Sequence, residues 1–286
     1  MRILIIGASG LVGYNCYRHF SQIEGQYILG THRNFSTDFT SKFNCSVIGE
    51  EEHSILRTLK PSVIIHTGAL TNVDECEVSP EKSYFETVIS TANIIKIAEE
   101  FNSKIVYIST DYVFDGESGP YHETDIPNPI NTYGKHKLIA EQLVQQQNND
   151  NLIIRITNVY GDELRDKNFV SRLLKEPTKP IELKLPVDQF ATPINALDVA
   201  KAIELLLIYN KSGIYHLASI EYVNRVQMAM QIIHKKNLNN WKIVPTKTSE
   251  LNQRAKRPLF GGLIAMKFLN EFPYFINSSL NSMLDG

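Results

Sequence analysis

The sequence predicts an α/β protein: a doubly wound parallel sheet with a smaller C-terminal lobe. Three observations carry this. Short apolar runs without polar alternation recur through the first half. Amphipathic segments of helical period separate them. After about residue 160 the pattern loosens, with prolines at 177, 180, 186 and 193. Apolar runs that do not alternate fit strands covered on both faces. Strand, helix, strand at this spacing requires right-handed crossovers in a parallel sheet.

The runs are Ile3 to Ile6, Tyr27 to Leu29, Val63 to Ile65, Ile105 to Ile108 and Leu152 to Ile154. Between the third and fourth, Ser83 to Phe101 places Val88, Ile94, Ile95, Ile97 and Ala98 at helical spacing. Later, Asp198 to Ile208 reads as a helix and Gly213 to Leu217 as a strand. The expected organisation is a nucleotide-binding core over 1–160, to which 190–219 returns. A second lobe is expected from 161–189 and 220–286. With 286 residues, 43% of them hydrophobic, the chain can bury a large core.

A net charge of -2 gives no reason to expect nucleic acid or an anionic membrane as partner. No apolar stretch is long enough to span a bilayer. Met1-Arg2 leads directly into the first run without the ordered regions of a signal peptide, so the expected location is cytoplasmic. The three cysteines, Cys16, Cys45 and Cys76, are far apart and odd in number. They read as reduced, buried or half-buried thiols.

Gly7-Ala8-Ser9-Gly10-Leu11-Val12-Gly13 follows the first strand and opens a helix. A tight turn, a close backbone approach and a helix packed near a strand all favour glycine there. The helix N-terminus then presents N–H groups and its positive dipole end to an anion. This is the context in which a glycine pattern reads as a dinucleotide site. The second strand leads into Thr31-His32-Arg33, with no acid at its end. A carboxylate there would suit NAD(H); Arg33 suits the 2′-phosphate of NADP(H), leaving NAD(H) as the alternative cofactor. The fourth strand runs into Ser109-Thr110-Asp111-Tyr112, at the carboxyl end where ligands bind in such sheets. Tyr133 and Lys137 stand four apart in an expected helix and share a face, so the ammonium can stabilise a phenolate.

These residues, read with HTGALTNVDECE at 66–77, STDYVFDG at 109–116, YGKHKLIAE at 133–141, RITNVYG at 155–161, DQFATPINALDVA at 188–200 and GIYHLA at 213–218, extend the pattern over nearly the whole chain. Arg257-Pro258 also fits. The chain resembles the extended short-chain dehydrogenase/reductases, and among them the dTDP-4-dehydrorhamnose reductase family. The resemblance implies a Rossmann-type core and a catalytic set of Thr110, Tyr133 and Lys137. Tyr133 would protonate a carbonyl oxygen, Lys137 would hold the nicotinamide ribose, and Thr110 would orient the carbonyl. It implies cofactor contacts by Gly7, Ser9, Gly10, Leu11, Val12, Gly13, Arg33, Gly68, Ala69, Leu70, Tyr133 and Lys137. Asp111, Asn158, Val159 and Arg257 are implied on the substrate, a nucleotide-linked 4-keto-6-deoxy sugar used for polysaccharide or glycan precursors. A homodimer is compatible with it. Asn158 stands where the family often has tryptophan, and resembles the epimerases and dehydratases instead.

Other residues carry plainer readings. Arg254, Lys256 and Arg257 suit either a nucleotide diphosphate or a solvated loop. Asp74, Glu75 and Glu77 read as helix-dipole partners. His66 and His136 lack companions at metal spacing, and no metal is expected. Trp241 reads as packing. Two rivals remain: a nucleotide-sugar epimerase of the same superfamily, and a non-catalytic NADP-binding regulatory subunit. Dehydration is disfavoured because Thr110 is followed by one acid, Asp111, rather than two.

Overall fold

The computed structural model describes residues 1–280 and Leu284. The first half alternates strand and helix. β1 (Arg2–Ile6), α1 (Leu11–Phe20), β2 (Tyr27–His32), β3 (Thr40–Lys42), α2 (Glu50–Leu59) and β4 (Val63–His66) come first. The short helices α3 (Val73–Val78) and α4 (Pro80–Tyr84) follow, then a π-helical segment, Phe85–Ile89, that runs into α5 (Ser90–Phe101). β5 (Lys104–Thr110), α6 (Thr132–Gln147) and β6 (Leu152–Ile156) complete this half. Next come α7 (Phe169–Leu174), β7 (Ile181–Pro186), β8 (Phe190–Ala191), α8 (Ala196–Ile208) and β9 (Gly213–His216). The chain ends with β10 (Val223–Asn224), α9 (Arg225–Lys236), β11 (Trp241–Thr246) and α10 (Met266–Glu271).

Seven strands pair in the order β3-β2-β1-β4-β5-β6-β9, and every pair is parallel. This confirms the doubly wound sheet. The apolar runs do not alternate because both faces are covered. Ile3, Ile5, Val106, Ile108 and Ile154 face one core with Val199 and Ile203 of α8. Leu4, Ile64, Ile105, Tyr107 and Ile153 face the other, with Ile94 and Ile97 of α5 and Val144 of α6. From β1 the chain winds outward to β2 and β3; from β4 it winds the other way, to β5, β6 and β9. The crevice between β1 and β4 is therefore the switch point where ligands bind in such sheets.

β7 pairs with β11 and β8 with β10, outside the main sheet. A third cluster, including Leu173, Leu185, Met228 and Ile232, packs these pieces together. Trp241 belongs to that cluster, and its indole N–H donates to the Leu173 carbonyl at 2.9 Å. Three features differ from the sequence reading. β3 joins the sheet through the polar trio Thr40-Ser41-Lys42, which has no apolar signal. The helix expected over 83–101 is interrupted by the π-helical segment. Phe268 and Phe272, expected in the second lobe, instead pack into the first core.

Candidate active site

The carboxyl ends of β1, β4, β5 and β6 open into one cavity of about 640 Å³. Its floor begins at the glycine turn. Gly7 has φ +82° and accepts from the Gly10 N–H at 2.9 Å. Among the described residues no side chain caps α1, and no acid stands in its first turn. The N–H groups and positive end of the helix are thus left to an anion. Gly7, Ser9, Gly10, Leu11 and Val12 line the cavity. Gly13 does not. A Cβ there would lie 2.3 Å from the Gly7 carbonyl oxygen, so its glycine serves the packing of α1 on the turn. Gly68 and Ala69 line the wall after β4, whereas Leu70 lies outside the lining, its carbonyl accepting from the Cys76 thiol at 3.3 Å.

Thr110, Tyr133 and Lys137 meet in this cavity. α6 brings the latter two. Asn131 caps it by accepting from the Gly134 N–H at 2.8 Å, and its own amide donates to the Lys256 carbonyl at 2.9 Å. A Cβ on Gly134 would lie 2.0 Å from the Tyr112 carbonyl oxygen. Only glycine lets the first turn of α6 seat against the 111–113 turn. The Tyr112 and Tyr133 rings then meet edge to face, 5.8 Å apart. Burial raises the Tyr133 phenol above its usual range, and a hydrogen bond with Thr110 pulls it back part of the way. The phenol is therefore held protonated.

Lys137 is 3% exposed, donates to the Ile108 carbonyl at 2.5 Å and lies 4.0 Å from the Tyr107 ring centroid. Burial drives its pKa down to about 7, against an upward pull from Glu141. His66 beneath it is pushed down to about 3 by burial and by Lys137, which keeps the imidazole neutral. Its Nε2 meets the Thr91 hydroxyl at 3.2 Å, a structural contact in keeping with the plain reading of His66.

Past the ends of β5 and β6 the cavity is lined by Asp111, Tyr112, Asn158 and Val159. Asp111 is 4% exposed and accepts from the Thr157 hydroxyl at 2.7 Å and the Gly262 N–H at 3.1 Å. Burial raises its pKa despite these bonds. Arg257 is placed elsewhere. It pairs with Asp74 at 3.0 Å and donates to the Ala255 carbonyl at 3.2 Å, outside the lining. Asp74 also accepts from the Ala255 N–H at 2.9 Å, so this acid holds the 255–257 loop besides opening α3.

At the opposite end Arg33 lines the cavity and pairs with Glu86 of the π-helical segment at 2.9 Å. Three basic residues unmarked in the sequence reading also line it: Arg165, Lys167 and Arg225. Arg165 lies over the Phe35 ring at 5.7 Å, and its Nη2 is 3.6 Å from where a Cβ on Gly10 would stand. Its Nε is buried without a protein partner. No local pattern signals these residues. They come from the loop after β6 and the start of α9, and reach the site only through the fold. Among the described residues no group of His, Cys, Asp and Glu is arranged to hold a metal ion. No helix among them is long and apolar enough to cross a membrane. Cys16, Cys45 and Cys76 are free and buried.

A parallel sheet with a glycine turn at its switch point, and a Thr, Tyr and Lys on one wall, defines an extended short-chain dehydrogenase/reductase. The narrower assignment follows from comparison. The family model described as the RmlD substrate binding domain matches residues 1–279, and the chain belongs to that family. Methionine adenosyltransferase 2 subunit beta of Xenopus laevis is 31% identical over 247 residues, covering 83% of this chain and 72% of the relative. The dTDP-4-dehydrorhamnose reductase of Salmonella typhimurium is 33% identical over 226 residues, covering 77% and 73%. The crystal structure of dTDP-4-dehydrorhamnose reductase from Bacillus anthracis in complex with NADP aligns with a TM-score of 0.87 at 26% identity, covering 99% of this chain and 96% of that one.

Proposed function

We propose that the protein is an NADP(H)-dependent reductase acting on the carbonyl of a nucleotide-linked 4-keto-6-deoxy sugar, in the supply of polysaccharide or glycan precursors. The observation that carries this reading is the meeting of Thr110, Tyr133 and Lys137 on one wall of the cavity that begins at the glycine turn.

The residues fit a dinucleotide. The uncapped start of α1 and the buried, unpartnered Nε of Arg165 suit a pyrophosphate, and Arg33 suits a 2′-phosphate. Bound there, the cofactor supplies the hydride. The protein's own groups handle the proton. Thr110 donates a hydrogen bond to the carbonyl oxygen and holds it within reach of Tyr133. The protonated Tyr133 phenol gives its proton to that oxygen, and Lys137 stabilises the phenolate left behind. Asp111, Asn158 and Val159 border the sugar. Consumption of NADPH with a dTDP-linked 4-keto-6-deoxy sugar, abolished in Tyr133→Phe, tests this reading.

The likeness to the Xenopus laevis subunit favours a second reading, a non-catalytic NADP-binding subunit. It predicts NADPH binding without consumption, and copurification with an enzyme partner.

A further inference from the structure

The substrate end holds a cation placed differently from those at the cofactor end. Arg225 opens α9, and the preceding residue, Asn224, is tied to the Val187 carbonyl at 2.9 Å. Its guanidinium reaches the cavity wall and donates to the Asn158 side-chain oxygen at 2.6 Å. Its face lies 4.8 Å from the Phe169 ring centroid. Asn158 can meet it because its backbone is left-handed, φ 42°, a conformation that asparagine tolerates better than bulky residues. Among the described residues no carboxylate forms an ion pair with Arg225. A guanidinium has five N–H donors, and here a neutral amide engages one nitrogen while an aromatic face supports the plane. Withdrawing a cation from water is costly without an anionic partner. Asp111, the acid that acts on Arg225 electrostatically, is already committed to Thr157 and Gly262.

We propose that Arg225 is the anion receptor of the substrate half of the cavity, taking a pair of negatively charged oxygens over Phe169 and beside Asn158. This makes it a specificity-determining residue, and it rests on assigning this half of the cavity to the substrate. Two parts of a nucleotide sugar offer such oxygens: the diphosphate and a carboxylate on the sugar ring. The planar fork suits either.

Calorimetric titration of the NADPH-saturated protein separates them, with dTDP, UDP, UDP-glucose and UDP-glucuronate as probes. Loss of one charge-assisted contact in Arg225→Met corresponds to a weakening of about tenfold to a hundredfold. An equal loss for all four probes identifies the diphosphate as the anion. Unchanged binding of dTDP, UDP and UDP-glucose, with loss of a preference for UDP-glucuronate, identifies a sugar carboxylate and replaces the 6-deoxy sugar of the proposed function with a uronate. Arg225→Lys keeps the charge and falls between wild type and Arg225→Met in either case. NADPH affinity within about twofold of wild type shows that the variants are folded, since the contacts of Arg225 are with Asn158 and Phe169 and not with the glycine turn. Wild-type affinity of Arg225→Met for every probe overturns the proposal, as does a wild-type protein that binds none of them. Turnover is not read in this experiment. Anion binding through Arg225, together with no NADPH consumption when 4-keto-6-deoxy sugar nucleotides are assayed separately, would contradict the reductase reading alone.

Discussion

Lys137 and Ile108 are joined by a hydrogen bond in which the lysine Nζ donates to the strand carbonyl at 2.5 Å. Ile108 lies two residues before Thr110 on β5, so the bond locks the lysine of α6 to the strand that carries Thr110. In the proposed mechanism this bond fixes the lysine relative to Thr110.

The same burial makes Lys137 a source of pH dependence. Its folded pKa is lowered to about 7, from 10.5 when exposed. Between those values the unfolded chain binds more protons than the folded one at this site, so this contribution to stability rises with pH. Below about pH 7 the folded protein bears the full cost of the buried cation. Thermal unfolding of Lys137→Met without cofactor, between pH 6.5 and 9.5, should lack this rise. Identical slopes for variant and wild type would show that the lysine is not depressed.

Tyr133→Phe keeps the ring against Tyr112 and removes the proton. Turnover should fall by about 10²- to 10⁴-fold, the usual contribution of general acid catalysis. NADPH affinity should stay close to wild type, which fluorescence titration would check. Full turnover in this variant would remove the phenol from the mechanism.

Arg33 pairs with Glu86, and in the proposed function it also takes the 2′-phosphate. Glu86→Gln should free the guanidinium and tighten NADPH binding while leaving NADH nearly unchanged. Arg33→Met should weaken NADPH by about tenfold or more and spare NADH, from loss of a charge-assisted contact. Equal effects on both cofactors would place Arg33 away from the 2′-phosphate.

Arg165 stands by the glycine turn, the proposed seat of the pyrophosphate that both cofactors carry. Arg165→Met should therefore weaken NADPH and NADH alike, by about tenfold. A loss confined to NADPH would instead assign Arg165 to the 2′-phosphate.

Arg155 and Glu141 form an ion pair beneath the site, Nη2 to Oε2 at 2.7 Å, with side chains 2% and 1% exposed. Breaking it from one side, as in Glu141→Gln, should cost about 3–5 kcal/mol, because the guanidinium stays buried. Denaturant unfolding measures this. Loss of the Glu141 charge should also lower the Lys137 pKa further, since Glu141 pulls it upward.

The core strands could be read from the sequence because each is buried on both faces and so loses polar alternation. The glycine turn and the Tyr133–Lys137 pair could be read because their spacing is local. What escaped reading depends on distant contacts. β3 is three polar residues that pair only because β2 lies alongside. Gly134 looks like an ordinary helix residue until Tyr112 is seen against it. Arg165 and Arg225 follow no motif and reach the cavity from a loop and from the second lobe. Arg257 has the opposite history: its motif suggested a ligand contact, but the fold places it against Asp74.

The most direct test of the reductase reading is NADPH oxidation against a panel of dTDP-, UDP- and GDP-linked 4-keto-6-deoxy sugars. Steady consumption with at least one of them is the predicted result. NADPH binding without consumption across the panel would contradict the reductase reading and favour the non-catalytic subunit.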